Sequence, residues 1–208
     1  LEDDSRQLLV MANGELSRMS HITRQMLSFY RESSAPSAVK MTHVLDDVLE
    51  LFAARLRSNR IHIERRYDCS EEIQGFPVEL GQLFANLVGN AIEAVGDKGR
   101  IWVRIAAHRG ATPKQTGVRV VIADNGPGIK REVQRQIFEP FFTTKASKGT
   151  GLGLWVVRGI VAKHKGWIRM RSSTMPGKNG TVFSVFLPSR TNFEQPAANP
   201  VPVADALL

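Results

Sequence analysis

The sequence predicts a mixed α/β domain of about 150 residues, led by a helical piece and followed by a tail. Three observations carry that expectation. Apolar residues recur at alternating spacings of three and four from Leu9 to Tyr30. Between residues 40 and 190, segments of helical period and segments of two-residue alternation follow one another. Glycine and proline clusters separate several of them.

Taken in order, Leu9, Ala12, Leu16, Met19, Thr23, Met26 and Tyr30 form a heptad-like stripe, widened by Leu8, Ile22, Leu27 and Phe29. A face that broad has to be buried against other helices. Asn13-Gly14 weakens the helix locally, and Ser33-Ser34-Ala35-Pro36 ends it. A second helix begins near Thr42, with Val44, Leu45, Val48, Leu49, Phe52 and Leu56 on its apolar face. Ile61-His62-Ile63 alternates as a short strand. Glu79 to Val95 reads as a helix with Leu80, Leu83, Phe84, Leu87 and Ala91 inward, and Gly96 to Gly99 turns the chain.

Strands follow at Ile101 to Ala106 and Val118 to Ala123, joined by a polar loop from His108 to Thr116. Asn125 to Gly149 is a long connection, typical of a lid or binding loop, with one short helical piece near Val133 to Phe138. Leu152 to Lys163 is a helix; Trp167 to Arg171 and Thr181 to Leu187 form a hairpin across Pro176 to Gly180. The stretch 191–208, with Pro196, Pro200 and Pro202, is expected to be a disordered tail. The expected units are therefore 1–35, 36–190 and 191–208.

A hydrophobic content of 42% over 208 residues supports a real core. The single cysteine, Cys69, cannot form an internal disulfide and fits a reducing compartment. No apolar stretch approaches the roughly 20 residues of a spanning helix, so no membrane contact is expected of this piece and a cytoplasmic location is. A start inside a helix without an initiator Met suggests part of a longer protein. The net charge of +8 invites a nucleic-acid reading, but the cations are spread along the chain without interleaved stacking aromatics. An acidic protein partner or a polyphosphate ligand suits that charge better.

The chemistry concentrates in a few motifs. Asn86 and Asn90 lie four apart on one helix face, with Glu93 one turn on. An asparagine oxygen can ligate magnesium without adding negative charge beside a triphosphate; on the spacing alone, two asparagines that merely cap turns or face water fit better, since such pairs are common. Asp124 closes an apolar strand ahead of Asn125-Gly126-Pro127-Gly128-Ile129. A carboxylate there can accept from adenine's exocyclic amine and would meet an acceptor on guanine, although Asp-Asn-Gly is also a common turn. Gly126 and Gly128 let the backbone come close to a purine. Lys148-Gly149-Thr150-Gly151-Leu152-Gly153-Leu154 precedes a helix, whose N-terminal amides form a natural phosphate site. It is neither a Walker A loop nor a dinucleotide fingerprint. Phe138 to Lys145 lies in the long connection; its phenylalanines either anchor a lid or simply pack. Lys145 or Lys148 is a candidate to reach the terminal phosphate, the alternative being a solvated lysine.

Together these runs resemble the asparagine, first glycine, phenylalanine and second glycine boxes of the ATP-binding domain of bacterial sensor histidine kinases. They are Asn86 to Ala94, Asp124 to Ile129, Phe138 to Lys145 and Gly149 to Leu154. That superfamily is shared with gyrase and the large heat-shock chaperone. Gly180-Thr181 before the last strand resembles its adenine-side motif. The resemblance covers roughly residues 40 to 190 and implies an α+β fold: a two-layer α/β sandwich, the Bergerat ATP-binding fold, preceded by a long helix of a dimerisation bundle. It implies ATP and Mg2+ as cofactors, Asn90 as metal ligand, Asn86 near the phosphates and Asp124 as adenine reader. Glycines 126, 128, 149, 151 and 153 would shape the pocket. The partners it implies are a response regulator receiver domain and a second copy, through the helical hairpin.

One part of the family pattern is missing. The phosphoacceptor histidine normally sits in a His-acidic-x-x-x-Pro run, whereas His21 is followed by Ile22-Thr23-Arg24-Gln25-Met26. Without an acidic neighbour to polarise the imidazole, His21 reads as a helix-surface or bundle histidine, and the first helix resembles the second helix of the hairpin. His164 reads as structural at a helix C-terminus. His43, His62 and His108 have no cluster partners, so no zinc or iron site is expected.

Overall fold

The computed structural model describes residues 35–110, 115–144, 149–191 and 193. The expected first helix with His21, the lysines Lys145 and Lys148, and most of the tail lie outside the described residues. The elements are β1 (Ser37–Lys40), α1 (Met41–Leu51), α2 (Ala53–Ser58), β2 (His62–Tyr67), β3 (Glu72–Gly75), α3 (Pro77–Val95), β4 (Arg100–His108), β5 (Gly117–Asp124), α4 (Gly153–Lys163), β6 (Trp167–Ser173) and β7 (Gly180–Pro188).

Five strands form one sheet in the order β2-β4-β5-β7-β6. β2 and β4 run parallel, and every other neighbouring pair is antiparallel. The alternation on β4 and β5 sends Ile101, Val103, Ile105, Val118, Val120 and Ile122 to one face, where they are buried. Opposite them sit α1, α3 and α4. α3 is the central helix: Pro77 opens it at a position where a missing N–H costs nothing, and Leu80, Leu83, Phe84 and Leu87 are fully buried. Each such side chain contributes about 1.5–3 kcal/mol. α4 adds Val156, Val157 and Ile160. The result is the two-layer sandwich expected.

Several elements differ from the sequence reading. The second helix is two helices, because Phe52 (φ −94°, ψ 2°) breaks the run and lays its ring 3.5 Å from where a Cβ on Gly89 would stand. The strand at Ile61 begins at His62 and runs on to Tyr67. The piece at Val133 to Phe138 is not a helix but a succession of turns, its amides reaching back three residues: Val133 to Lys130, Gln136 to Val133, Glu139 to Gln136. β1 and β3, unforeseen, pair antiparallel with Val39 opposite Ile73. Of the expected tail, Thr191 bonds the His164 carbonyl (3.3 Å) and Phe193 packs edge-on against Phe76, with ring centroids 4.7 Å apart.

Candidate functional site

α3 carries a stripe, Asn86, Asn90 and Ala94, at four-residue intervals. Near one end of it, the Asn86 Oδ1 lies 3.3 Å from where a Cβ on Gly153 would stand, so the asparagine abuts the first residue of α4. At the other end, a Cβ on Gly126 would come within 2.9 Å of the Ala94 carbonyl oxygen. The stripe thus joins the start of α4 to the loop after β5 over about 12 Å of helix. Asn90, between them, is half-buried. Asn86 Nδ2 is buried and has no hydrogen-bond partner among the described residues. A stranded amide donor is costly in a folded chain and is the kind of group a ligand satisfies. Glu93 is exposed and pairs with Arg55 at 3.6 Å.

Asp124 ends β5 on the helix-facing side, 8% exposed. Burial pushes its pKa up, while the backbone amides of Gly126 and Thr181 pull it down. The Gly126 N–H donates to Oδ1 at 2.9 Å, which fixes the carboxylate's orientation. Beyond it, Gly128 takes φ +76°, and a Cβ there would overlap the Ser173 carbonyl at 1.9 Å. A Cβ on Gly180 would likewise overlap the Asp124 carbonyl oxygen, at 2.2 Å. The Ile129 N–H donates to Ser172 Oγ (2.8 Å), which donates to the Gly180 carbonyl (2.8 Å) and touches the Thr181 hydroxyl (2.9 Å).

The loop before α4 is built from Gly149, Thr150 and Gly151, all half-buried. Gly151 takes φ +69° under the backbone of Phe141, which itself has φ +65° and is 63% exposed. Leu152 is buried and Leu154 packs on the core. The Thr150 hydroxyl accepts from the Leu152 amide at 3.4 Å. α4 starts with no side-chain cap and no acidic residue in its first turn, so the positive end of its dipole faces the Asn86 corner uncompensated by a side chain. Phe138 packs edge-on against Phe183, with centroids 6.4 Å apart. That favours the packing role for this phenylalanine.

Sequence reasoning missed the polar residues that hold the loop after β5. Asn125 Oδ1 accepts from the Arg100 N–H (2.8 Å), and Asn179 Nδ2 donates to the Gly126 carbonyl (2.8 Å). Gln134 Nε2 donates to the Ile129 carbonyl (2.7 Å). Of these, Asn125 and Asn179 showed in the sequence only as turn residues, beside Gly126 and Gly180, with nothing to mark the bonds they make. His164 caps α4 as expected and is buried. Its Nδ1–H donates to the Ile160 carbonyl (2.8 Å) and its Nε2 accepts from the Phe76 N–H (3.1 Å). Both nitrogens are thus occupied by a neutral ring, whose pKa burial pushes down. Among the described residues no cluster of His, Cys, Asp or Glu could hold a metal, and no helix is long and apolar enough to cross a membrane.

A helix-over-sheet sandwich with a glycine-opened helix start, an asparagine stripe and a buried carboxylate defines a nucleotide-binding class of domain. Residues 75–191 match the model of the histidine kinase-, DNA gyrase B-, and HSP90-like ATPase family, and the chain belongs to that family. It is 34% identical over 195 residues to sensor histidine kinase ZraS of Escherichia coli strain K12, which takes in 93% of this chain. The chain spans 40% of the length of that relative. Among solved structures, the catalytic domain of histidine kinase ThkA is similar, with a TM-score of 0.65 and 32% identity over 75% of this chain and 97% of that one. ThkA in complex with response regulator protein TrrA gives a TM-score of 0.67 and 28% identity, covering 86% of this chain and 49% of that one. ATP binding follows from the family.

Proposed function

We propose that the chain is the ATP-binding catalytic part of a two-component sensor histidine kinase of the cytoplasm. It passes the γ-phosphoryl group of Mg2+–ATP to a histidine on a dimeric helical hairpin, from which a response regulator receiver domain takes it. In this reading 36–190 is the catalytic domain, and 1–35 is the second helix of the hairpin through which two copies pair. The acceptor histidine comes from another segment, not from His21. The observation that carries the reading is the unpartnered, buried Asn86 amide beside the glycine-opened start of α4. The α3 stripe runs from there to the loop around Asp124, a span comparable to that of an extended nucleoside triphosphate.

The residues divide the work. Asp124, oriented by the Gly126 amide, accepts from adenine's amine, with Ile129 and Thr181 at the base side. The amides opened by Gly149, Gly151 and Gly153, with the Thr150 hydroxyl, hold phosphate oxygens at the positive end of α4. Asn86 donates its stranded amide to the same group. Lys145 and Lys148 precede this loop in the sequence and are assigned to the terminal phosphate. Asn90, with Glu93 behind it, is the protein's contribution to Mg2+, which when bound neutralises charge on the phosphates. Catalysis is then positioning and charge stabilisation.

Calorimetry on the whole chain tests the binding half: Mg2+–ATP binds, GTP binds far more weakly, and Asp124→Asn narrows the gap between them. For the transfer half, the chain is incubated with labelled ATP and a hairpin carrying a His-acidic-x-x-x-Pro run, then with a receiver domain. Acid-labile label on the hairpin, drained by the receiver, is the expected result. Steady hydrolysis with no label on the hairpin would instead make the chain an ATPase of the same family.

A further inference from the structure

We infer that the helix-free face of the five-stranded sheet is a docking surface for an acidic polypeptide segment of another protein. The arginines concerned are scattered in sequence, yet strand alternation gathers them. In the strand register, Arg66 of β2 lies beside Arg104 of β4, and Arg169 of β6 beside Ser184 of β7. Arg119 of β5 pairs with Phe186, and Arg171 with Val182. All of these arginines are exposed, and all point away from the helices, because the residues between them (Ile105, Val118, Val120, Ile168, Met170) belong to the core side.

Glu64 and Asp68 are the carboxylates that oppose them on this face among the described residues. Asp68 is shared by Arg66 (2.9 Å) and Arg104 (2.9 Å), and those guanidiniums hold its carboxyl below the usual range. Glu64 accepts from the Trp102 indole (2.9 Å). The β7–β6 half therefore keeps its positive charge. Arg169 lies over the Trp167 ring (4.6 Å), Arg119 donates to the Ser184 hydroxyl (3.1 Å), and no carboxylate among the described residues pairs with either or with Arg171. Val121, Ala123 and Val182 floor the space between these cations and are half-buried.

That chemistry commits to carboxylates on a polypeptide. A rigid guanidinium fork takes a carboxylate through two parallel bonds, and the apolar floor suits side chains interspersed with them. Nucleic acid fits less well. The Trp102 indole is tied to Glu64, and the Trp167 ring is engaged by Arg169 and stacked on Phe186 (5.6 Å), so both indoles that could stack on a base already have partners. The face lies on the opposite side of the sheet from Asp124 and α4, so a partner can dock there with the nucleotide site left open.

The test uses the whole chain and a fluorescein-labelled peptide of alternating Glu and Ala, followed by anisotropy at low and physiological salt. The double variant Arg169→Gln/Arg171→Gln removes two cations from the face; Arg57→Gln/Arg135→Gln removes two exposed cations elsewhere. The face variant is expected to bind the peptide at least about tenfold more weakly, as loss of charge-assisted hydrogen bonds implies, while the control variant stays within about twofold of the parent. Thermal unfolding of both variants checks that the sheet is intact. Equal weakening by the two variants would reduce the effect to net charge and overturn the proposal. So would tighter, face-dependent binding of a single-stranded oligonucleotide or of phosphatidylglycerol vesicles than of the peptide.

Discussion

Replacing Asn86 with leucine is expected to make the chain harder to unfold and at the same time deaf to nucleotide. The Nδ2 of Asn86 is buried without a partner among the described residues, and leaving such a donor unsatisfied costs about 1–3 kcal/mol. Leucine has the same branch point and no donor, so the cost disappears and apolar burial against the core grows. In a domain of this size each kcal/mol moves the unfolding midpoint by roughly 2–4 °C, so a rise of at least about 2 °C follows for Asn86→Leu without ligand. Mg2+–ATP at about a hundred times its Kd should add about 2.7 kcal/mol to the parent chain. By the same scaling that is a further shift of roughly 5–10 °C, which the variant should lose. Scanning fluorimetry with and without nucleotide, backed by urea unfolding, reads both effects. A lower midpoint in the ligand-free variant would mean that the amide is satisfied after all. A surviving nucleotide shift would remove Asn86 from the site.

Two glycines give opposite signs. Gly128→Ala should destabilise by roughly 2–5 kcal/mol, since φ +76° disfavours any side chain and the new Cβ would overlap the Ser173 carbonyl. Gly81→Ala, inside α3 with nothing within 4 Å of its Cβ position, should stabilise by up to about 1 kcal/mol; urea midpoints check both. His164 supplies a pH dependence. Its folded-state pKa lies below the ordinary 6.5 because burial disfavours the imidazolium, so below that value the unfolded chain binds the extra proton. Stability should be flat at higher pH and fall as pH drops through and below 6.5. Glu79 opposes the shift, and Lys163, ion-paired to Glu79 at 2.6 Å, reinforces it. His164→Gln should flatten the slope measured by urea unfolding between about pH 7.5 and 5.5; an unchanged slope would place the titrating group elsewhere.

What could be read from sequence was whatever repeats locally. α3 and α4 were legible because an apolar stripe of helical period ran unbroken between turn signals, and β4, β5 and β7 because two-residue alternation did the same. The β1–β3 pair was not: Val39 is the one buried residue of β1, and pairing with a segment more than thirty residues on leaves no local trace. The break at Phe52 carried no glycine or proline either, and the packing of its ring beside Gly89 exists only after folding. The site divides the same way. Asn86, Asn90, Asp124 and the glycines could be nominated because they fall in ordered runs of recognisable residue types, the asparagines four apart on one helix and the glycines at turns. Ser172, Asn125 and Asn179 did not, since a single polar residue at a strand end or turn resembles any other until the hairpin brings it against the loop after β5. The arginines of the open face make the same point in reverse. Their scatter along the chain argued against a basic patch, yet five strands in one register turn that scatter into a surface. Spread in sequence is therefore evidence about linear motifs, and it says nothing about a sheet, where residues many positions apart in the chain become neighbours across the strands.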